Sequence, residues 1–239
     1  MSARARFRAR GAVVLIALAL CVGCGAQGVS PRTGPAAIAD PAGVRILHQL
    51  TASLAAAPGI RVRMRTPGST LGGASSSEAN LRSGDFRTVV DLGRGRGTFE
   101  MIKVDDLCWT KAPPALWVRM GYTAASAKRT TGKYVVAPAS GFSQIIEAVD
   151  PISVLSQIEQ LGDASVLGHS TVADGPQRGQ TALRVRFPEG ALTLFVTQAP
   201  ETRLTTVRGS SSGRVVEFVV EGYSSVTVAV PDAADVLQP

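Results

Sequence analysis

Residues 60–66 read IRVRMRT, with Ile60, Val62 and Met64 in one phase and Arg61, Arg63 and Arg65 in the other. Alternation of period two marks a strand with one buried face. Phe86, Thr88, Val90 and Leu92 share a phase in residues 86–92. Leu183, Val185 and Phe187 alternate with Arg184 and Arg186, and Leu192, Leu194 and Val196 form a further set. Helical spacing governs other stretches. Asp40-Pro41 supplies an N-cap and a first-turn proline, Val44, Leu47, Leu50 and Leu54 form a stripe, and Pro58-Gly59 ends it. Phe142, Ile145, Ile146 and Val149 suggest a second stripe. Asp150-Pro151 repeats the start signal before Ile152, Leu155, Ile158 and Leu161, and Gly162 closes that helix.

Between these anchors the pattern is coarser. Residues 98–104 and 107–111 read as a strand pair or as one long strand bent at Asp105-Asp106. Pro113-Pro114 interrupts, and residues 115–120 (ALWVRM) are expected to resume as strand. Residues 69–82 are Gly/Ser-rich and predict a poor strand or an exposed edge, and residues 121–141 show no period. The last third predicts antiparallel strands at 164–173, 180–187, 191–198, 201–208, 213–221 and 225–230, joined by short turns into a meander. Residues 214–220 (RVVEFVV) are apolar in both phases, as in a strand covered on both sides. The order is one helix, about five strands, two helices and about six strands. It predicts an α+β fold: a large antiparallel sheet with helices packed on one face.

The N-terminus has a different character. Arg4, Arg6, Arg8 and Arg10 precede an apolar run at 11–20, too short to span a bilayer, with Cys24 just beyond. Residues 1–23 read as an export signal, ending in a sequence that resembles the lipobox of bacterial lipoproteins. In that pattern Cys24 is lipidated and becomes the mature terminus, although Cys21 stands where Leu, Val or Ile is usual. An ordinary signal peptide cut near Ala26 and an uncleaved anchor are the competing readings. Residues 24–39 then form a small-residue tether, leaving 40–239 as one domain.

Composition modifies this picture in three ways. The net charge is +7, but four arginines lie in residues 1–23, and the remaining 21 basic and 18 acidic side chains leave +3. With few aromatic residues and no basic run beyond the signal, nucleic acid is not an expected partner. Lysines number only four, an Arg-, Ala-, Gly- and Val-rich balance like that of GC-rich genomes such as those of actinobacteria. Beyond the signal and Cys24, Cys108 is the one cysteine, so no internal disulfide is available to the mature chain. Flanked by Leu107 and Trp109, Cys108 is expected to be a buried small hydrophobe; a Cys24–Cys108 bridge becomes possible only if Cys24 is not lipidated.

Candidate chemistry is sparse. Gly209-Ser210-Ser211-Ser212-Gly213 matches G-x-S-x-G, but a strand is expected on each side, where a nucleophile elbow needs a helix to follow. His48 and His169 have no nucleophile or metal-ligand partner at a useful spacing. Cys21 and Cys24 form C-x-x-C inside the signal. Asp105-Asp106 reads as a turn. Arg94 and Arg96 in the G-R-G-R-G loop could touch anionic head groups, though a plain strand–strand loop is the default. No catalytic residue, metal or cofactor is expected.

The lipobox-like end at Cys24, the helix at 40–57, the stretch MIKVDDLCWTK at 101–111, Trp117 within 115–120, residues 150–161 and the closing VTVAVPDAADV together resemble the LolA-like superfamily, and within it the LppX/LprG-like lipoproteins. The resemblance spans roughly residues 40–235. It implies a curved, incomplete β-barrel whose concave side is closed by helices over an apolar cavity for acyl chains. It further implies a monomer, anchored by its lipid to the outer face of the cell membrane, that binds a lipid or lipidated ligand and carries it across the envelope. Phe86, Val90, Met101, Trp109, Trp117, Phe187 and Phe218 are the candidate lining, with a solid core as the plainer alternative for each. An envelope scaffold of the same fold, binding a protein partner, is the competing function.

Overall fold

The computed structural model describes residues 40–65, 74–187, 190–211 and 214–237, so Cys24, the signal and the tether lie outside the described residues. Eleven strands form a single antiparallel sheet in the order β6-β5-β4-β3-β2-β1-β11-β10-β9-β8-β7. The first meander comprises β1 (Gly59–Arg65), β2 (Ser75–Asn80), β3 (Asp85–Asp91), β4 (Thr98–Val104), β5 (Leu107–Lys111) and β6 (Val135–Pro138). The second comprises β7 (Val166–Thr171), β8 (Thr181–Phe187), β9 (Gly190–Thr197), β10 (Arg203–Ser211) and β11 (Arg214–Tyr223). Pairing of β1 with β11 joins the two meanders, and β6 and β7 remain as opposite edges.

That topology dictates the path of the helices. After β6 the chain must travel to the far edge to start β7. It does so through α4 (Ser143–Val149) and α5 (Pro151–Glu159). The first helix, α1 (Pro41–Ala56), touches β7, β8, β10 and α5, while α5 touches β2. Helices on one face thus reach strands of both meanders. Register shifts at Arg61/Val62, Leu204/Thr206 and Val166/Gly168 are bulges, which bend strands and increase twist.

Both Asp-Pro starts hold. The Asp40 carboxylate accepts from Ala42 N (3.2 Å) and that of Asp150 from Ile152 N (2.8 Å), each with proline in the first turn. Ile46, Leu47, Leu50 and Leu54 bury one stripe of α1. Gly43 permits the helix to approach the sheet: a Cβ there would lie 2.8 Å from Val166 Cγ1 and 3.1 Å from Leu183 Cδ1.

Four expectations need correction. Residues 115–120 are not a strand; Pro114–Arg119 form a helix, α2, because Pro114 fits its first turn and the short apolar run Ala115–Val118 suits either state. Residues 121–141 contain a further helix, α3 (Ala124–Arg129), capped by Thr123, as well as β6. Within 69–82, β2 is an interior strand rather than an edge, paired on both sides by β1 and β3. Residues 225–230 form no strand, so the last third holds five strands rather than six.

Candidate functional site

Register across the sheet sorts side chains into two faces. One row in register runs Leu183, Leu194, Val207, Phe218, Met64, Ser75, Val90 and Phe99. A second runs Val220, Val62, Ser77, Thr88, Met101, Thr110 and Val135. A third runs Tyr223, Ile60, Ala79, Phe86, Lys103, Cys108 and Ala137. These rows form the inner face, and its apolar members pack with the stripes of α1 and α5 and with Trp117 of α2 in one continuous buried cluster.

The opposite, outer face is charged through its middle. Arg87–Glu100 (2.7 Å), Arg63–Glu221 (2.8 Å), Arg208–Glu217 (2.7 Å) and Arg61–Glu78 (3.5 Å) form ion pairs there. Near the β6 edge the outer face turns apolar. Trp109 is in register with Ile102 and Val136, and Leu107 with Val104 and Pro138. Leu107 and Val136 are over 40% exposed, at 43% and 42%.

Of the seven candidate lining residues, Phe86, Val90, Met101 and Phe218 lie on the inner face, and Trp117 faces it from α2. Trp109 does not join them. The two-residue turn at Asp105-Asp106 places Met101 opposite Thr110 and Ile102 opposite Trp109, so Trp109 belongs to the outer face. Phe187 ends β8, and its side chain is outside the described residues.

The inner face also carries polar groups beyond those seven residues. Thr88 Oγ1 lies 2.9 Å from Ser77 Oγ and donates to the Val149 carbonyl (3.1 Å). Its phase with Phe86 and Val90 was the available signal, whereas Ser77 is hidden in a Ser/Gly run. Lys103 Nζ donates to the Gly84 carbonyl (3.1 Å). Burial pushes the Asp150 carboxyl up to about 6, against the opposing pull of the Ile152 N–H and of Lys103. Cys108 is free and fully buried, and that burial raises its thiol, the Lys103 charge opposing. Tyr223 donates to the Leu204 carbonyl (2.9 Å), and burial raises its hydroxyl above the ordinary range.

The two histidines each make a long-range contact. His48 Nε2 meets Asp163 Oδ1 at 2.7 Å, and His169 Nδ1 meets the Asp40 carboxylate, so each histidine ties α1 to a distant segment. That contact with His169 is also the main reason the Asp40 carboxyl lies below its usual range. Asp105-Asp106 is the β4–β5 turn, and residues 93–97 connect β3 to β4. Residues 209–211 close β10 and β11 begins at Arg214, while Ser212 and Gly213 lie outside the described residues. Among the described residues, no three His, Cys, Asp or Glu side chains group to hold a metal, and no helix is long and apolar enough to cross a membrane. An open surface pocket of about 280 Å³ is lined by Pro58, Asn80, Arg82, Ser83, Ser225 and Val226. It shares no residue with the inner face, and it is smaller than the ~300–1,000 Å³ usual for ligand sites.

No protein-family model matches the chain, and no characterised protein matches it by sequence. Solved structures do. LprF from Mycobacterium bovis superposes with a TM-score of 0.50 at 16% identity, over 81% of this chain and 97% of LprF. The chain shares the fold of LprF. The Mycobacterium tuberculosis lipoprotein LppX overlaps at a TM-score of 0.48 and 11% identity, over 80% of this chain and 100% of LppX. A LolA superfamily protein from Nitrosomonas europaea overlaps at 0.33 and 10% identity, over 81% of this chain and 96% of that one. The open antiparallel sheet with helices on one face, expected from sequence, is the LprF-like architecture found here.

Proposed function

We propose that this chain is a membrane-anchored envelope lipoprotein that binds the acyl chain of a lipid or lipidated ligand between its helices and the inner face of its sheet, and carries it across the envelope. The observation that carries the reading is the arrangement of the helices. They link opposite edges of an open sheet over an inner face whose apolar members, Phe86, Met101 and Phe218 among them, form one buried cluster. Two apolar surfaces that meet without a covalent or edge-to-edge closure can part to admit a chain. Each CH₂ taken from water then contributes about 0.8 kcal/mol. No catalytic step is part of this reading.

Cys24, on the same proposal, bears the lipid, and residues 24–39 tether the domain to the outer face of the cell membrane. Two experiments test the two halves. Mass spectrometry of the mature protein, expressed in an actinobacterial host, should show a diacylated N-terminal Cys24; an unmodified terminus near Ala26 would refute the anchor. Titration with a fluorescent acyl probe should saturate at about one per chain and compete with natural lipids; no uptake would refute the binding site.

A second reading rests on the apolar corner of the outer face. Trp109, Leu107 and Val136 there suit a protein partner, as an envelope scaffold would require. Loss of a co-purifying partner on Trp109→Glu, with acyl uptake absent from the parent chain, would favour it.

A further inference from the structure

Among the described residues, two buried donors in the helix–sheet core have no hydrogen-bond partner: Thr110 Oγ1 and Trp117 Nε1. Both residues are 0% exposed. Buried polar groups are paired in the great majority of cases, because an unpaired one forfeits its hydration for nothing in return. Other buried threonines follow that rule. Thr88 donates to Val149 O, Thr130 to Ala127 O (2.8 Å) and Thr202 to Gln49 Oε1 (3.2 Å), and Thr181 accepts from Gln198 Nε2 (2.5 Å).

The two exceptions lie close in sequence, on consecutive elements. Thr110 sits on the inner face of β5, between Met101 of β4 and Val135 of β6 in register. The chain leaves the sheet right after Lys111 and enters α2, which carries Trp117. Trp117 belongs to the same buried cluster as Met101 and Ala112, and its ring meets Tyr122 edge-on at 4.9 Å between centroids. A solid core would be served as well by valine and phenylalanine, which fill similar space without an orphaned donor. An indole N–H can only donate, so what satisfies Trp117 must be an acceptor. Both donors are themselves uncharged. The adjacent Lys111 turns to the outer face, with Nζ 5.2 Å from the Tyr134 ring centroid.

We infer that Thr110 and Trp117 bind a carbonyl oxygen at the head of the ligand's acyl chain and so fix where that chain begins along the inner face. The inference rests on the acyl-binding reading above. Two neutral donors favour an uncharged ester over an ionised carboxylate, to which they would bring no counter-charge.

The test uses the full chain carrying Cys24→Ala, so that no covalent lipid competes. Radiolabelled tripalmitin, palmitate and hexadecane are offered from phosphatidylcholine vesicles. Thr110→Val and Trp117→Phe should each weaken tripalmitin about three- to ten-fold and leave hexadecane within about two-fold. Weakening of palmitate instead would assign the oxygen to a free carboxyl and still support the pair. Thr110→Val should also melt no lower than its parent, since it removes an unpaired hydroxyl; that variant alone suffices if Trp117→Phe fails to fold. Equal weakening of hexadecane, or no weakening of either oxygen-bearing probe, overturns the inference while leaving the acyl site standing. If the parent binds none of the three, the acyl site falls, and this inference with it.

Discussion

Thr88 on β3 donates a hydrogen bond to the carbonyl of Val149, at the junction of α4 and α5, over 3.1 Å and a sequence separation of 61 residues. Thr88 is 1% exposed, and Ser77 of the neighbouring strand is its second contact. Apolar contacts hold α5 against the sheet without specifying one position, because dispersion and burial are non-directional. A single buried hydroxyl aimed at one carbonyl specifies it. The helices that cover the inner face are thereby pinned at the point where the chain turns from α4 into α5.

Thr88→Val keeps the volume but leaves the Val149 carbonyl and the Ser77 hydroxyl without this partner. The expected loss is about 1–3 kcal/mol, read as a lower urea midpoint at unchanged m-value. Hydrogen exchange should rise selectively at residues of α4 and α5. An unchanged midpoint and an unchanged exchange pattern would show that the hydroxyl pins nothing.

Asp150 sets a pH dependence. Its carboxyl titrates near 6 in the fold and near 3.8 in the unfolded chain, because burial disfavours the ionised form. Between those values the folded state holds the proton more tightly. Stability should therefore fall as pH rises from about 4 to 6 and stay lower above that, by about 1–3 kcal/mol. Asp150→Asn retains a good helix cap and should flatten this slope. Asp40 and Asp85 act in a separate window. Their carboxyls are lowered chiefly by His169 and by the Ser83 hydroxyl, so their contribution is lost only as pH falls below about 3.8. A denaturation series from pH 3 to 8 on both chains checks the signs.

Gly43→Ala should destabilise the protein although alanine is the better helix former by about 1 kcal/mol. The added methyl would meet Val166 at 2.8 Å, the Asp40 carboxylate at 2.9 Å and Leu183 at 3.1 Å. Pushing α1 off β7 and β8 should cost about 1–3 kcal/mol. A raised melting temperature would contradict this packing.

Cys108 should resist modification. It is fully buried, and burial raises its thiol, so the thiolate is scarce as well as inaccessible. The chain carrying Cys24→Ala should show no labelling at Cys108 by an aromatic disulfide reagent when native, and complete labelling in guanidinium. Rapid labelling of the native protein would show an exposed or strained site.

The parts of this architecture legible in the sequence are those where one face is buried and the other is charged. Arg61, Arg63 and Arg65 against Ile60, Val62 and Met64 announce β1, and Asp40-Pro41 and Asp150-Pro151 announce α1 and α5. β2 was harder to see because its serines bury little; its place comes from ladder partners on both sides, which composition does not reveal. Residues 115–118 are apolar throughout and fit either period, so only the prolines favour helix. The position of Trp109 was within reach. A two-residue turn at Asp105-Asp106 pairs residue 102 with 109, which puts Met101 and Trp109 on opposite faces. Thr88 shares the phase of Phe86 and Val90, but its partner is a backbone carbonyl across the fold, which no local pattern encodes.

The central claim is that the inner face takes an acyl chain. The most direct measurement is mass spectrometry of organic extracts from the Cys24→Ala chain, purified without detergent from an actinobacterial host. The account predicts a lipid in near-stoichiometric amount, absent from a control protein prepared alongside and diminished by Val62→Trp on the inner face. A ligand-free protein that also takes up no acyl probe would contradict it.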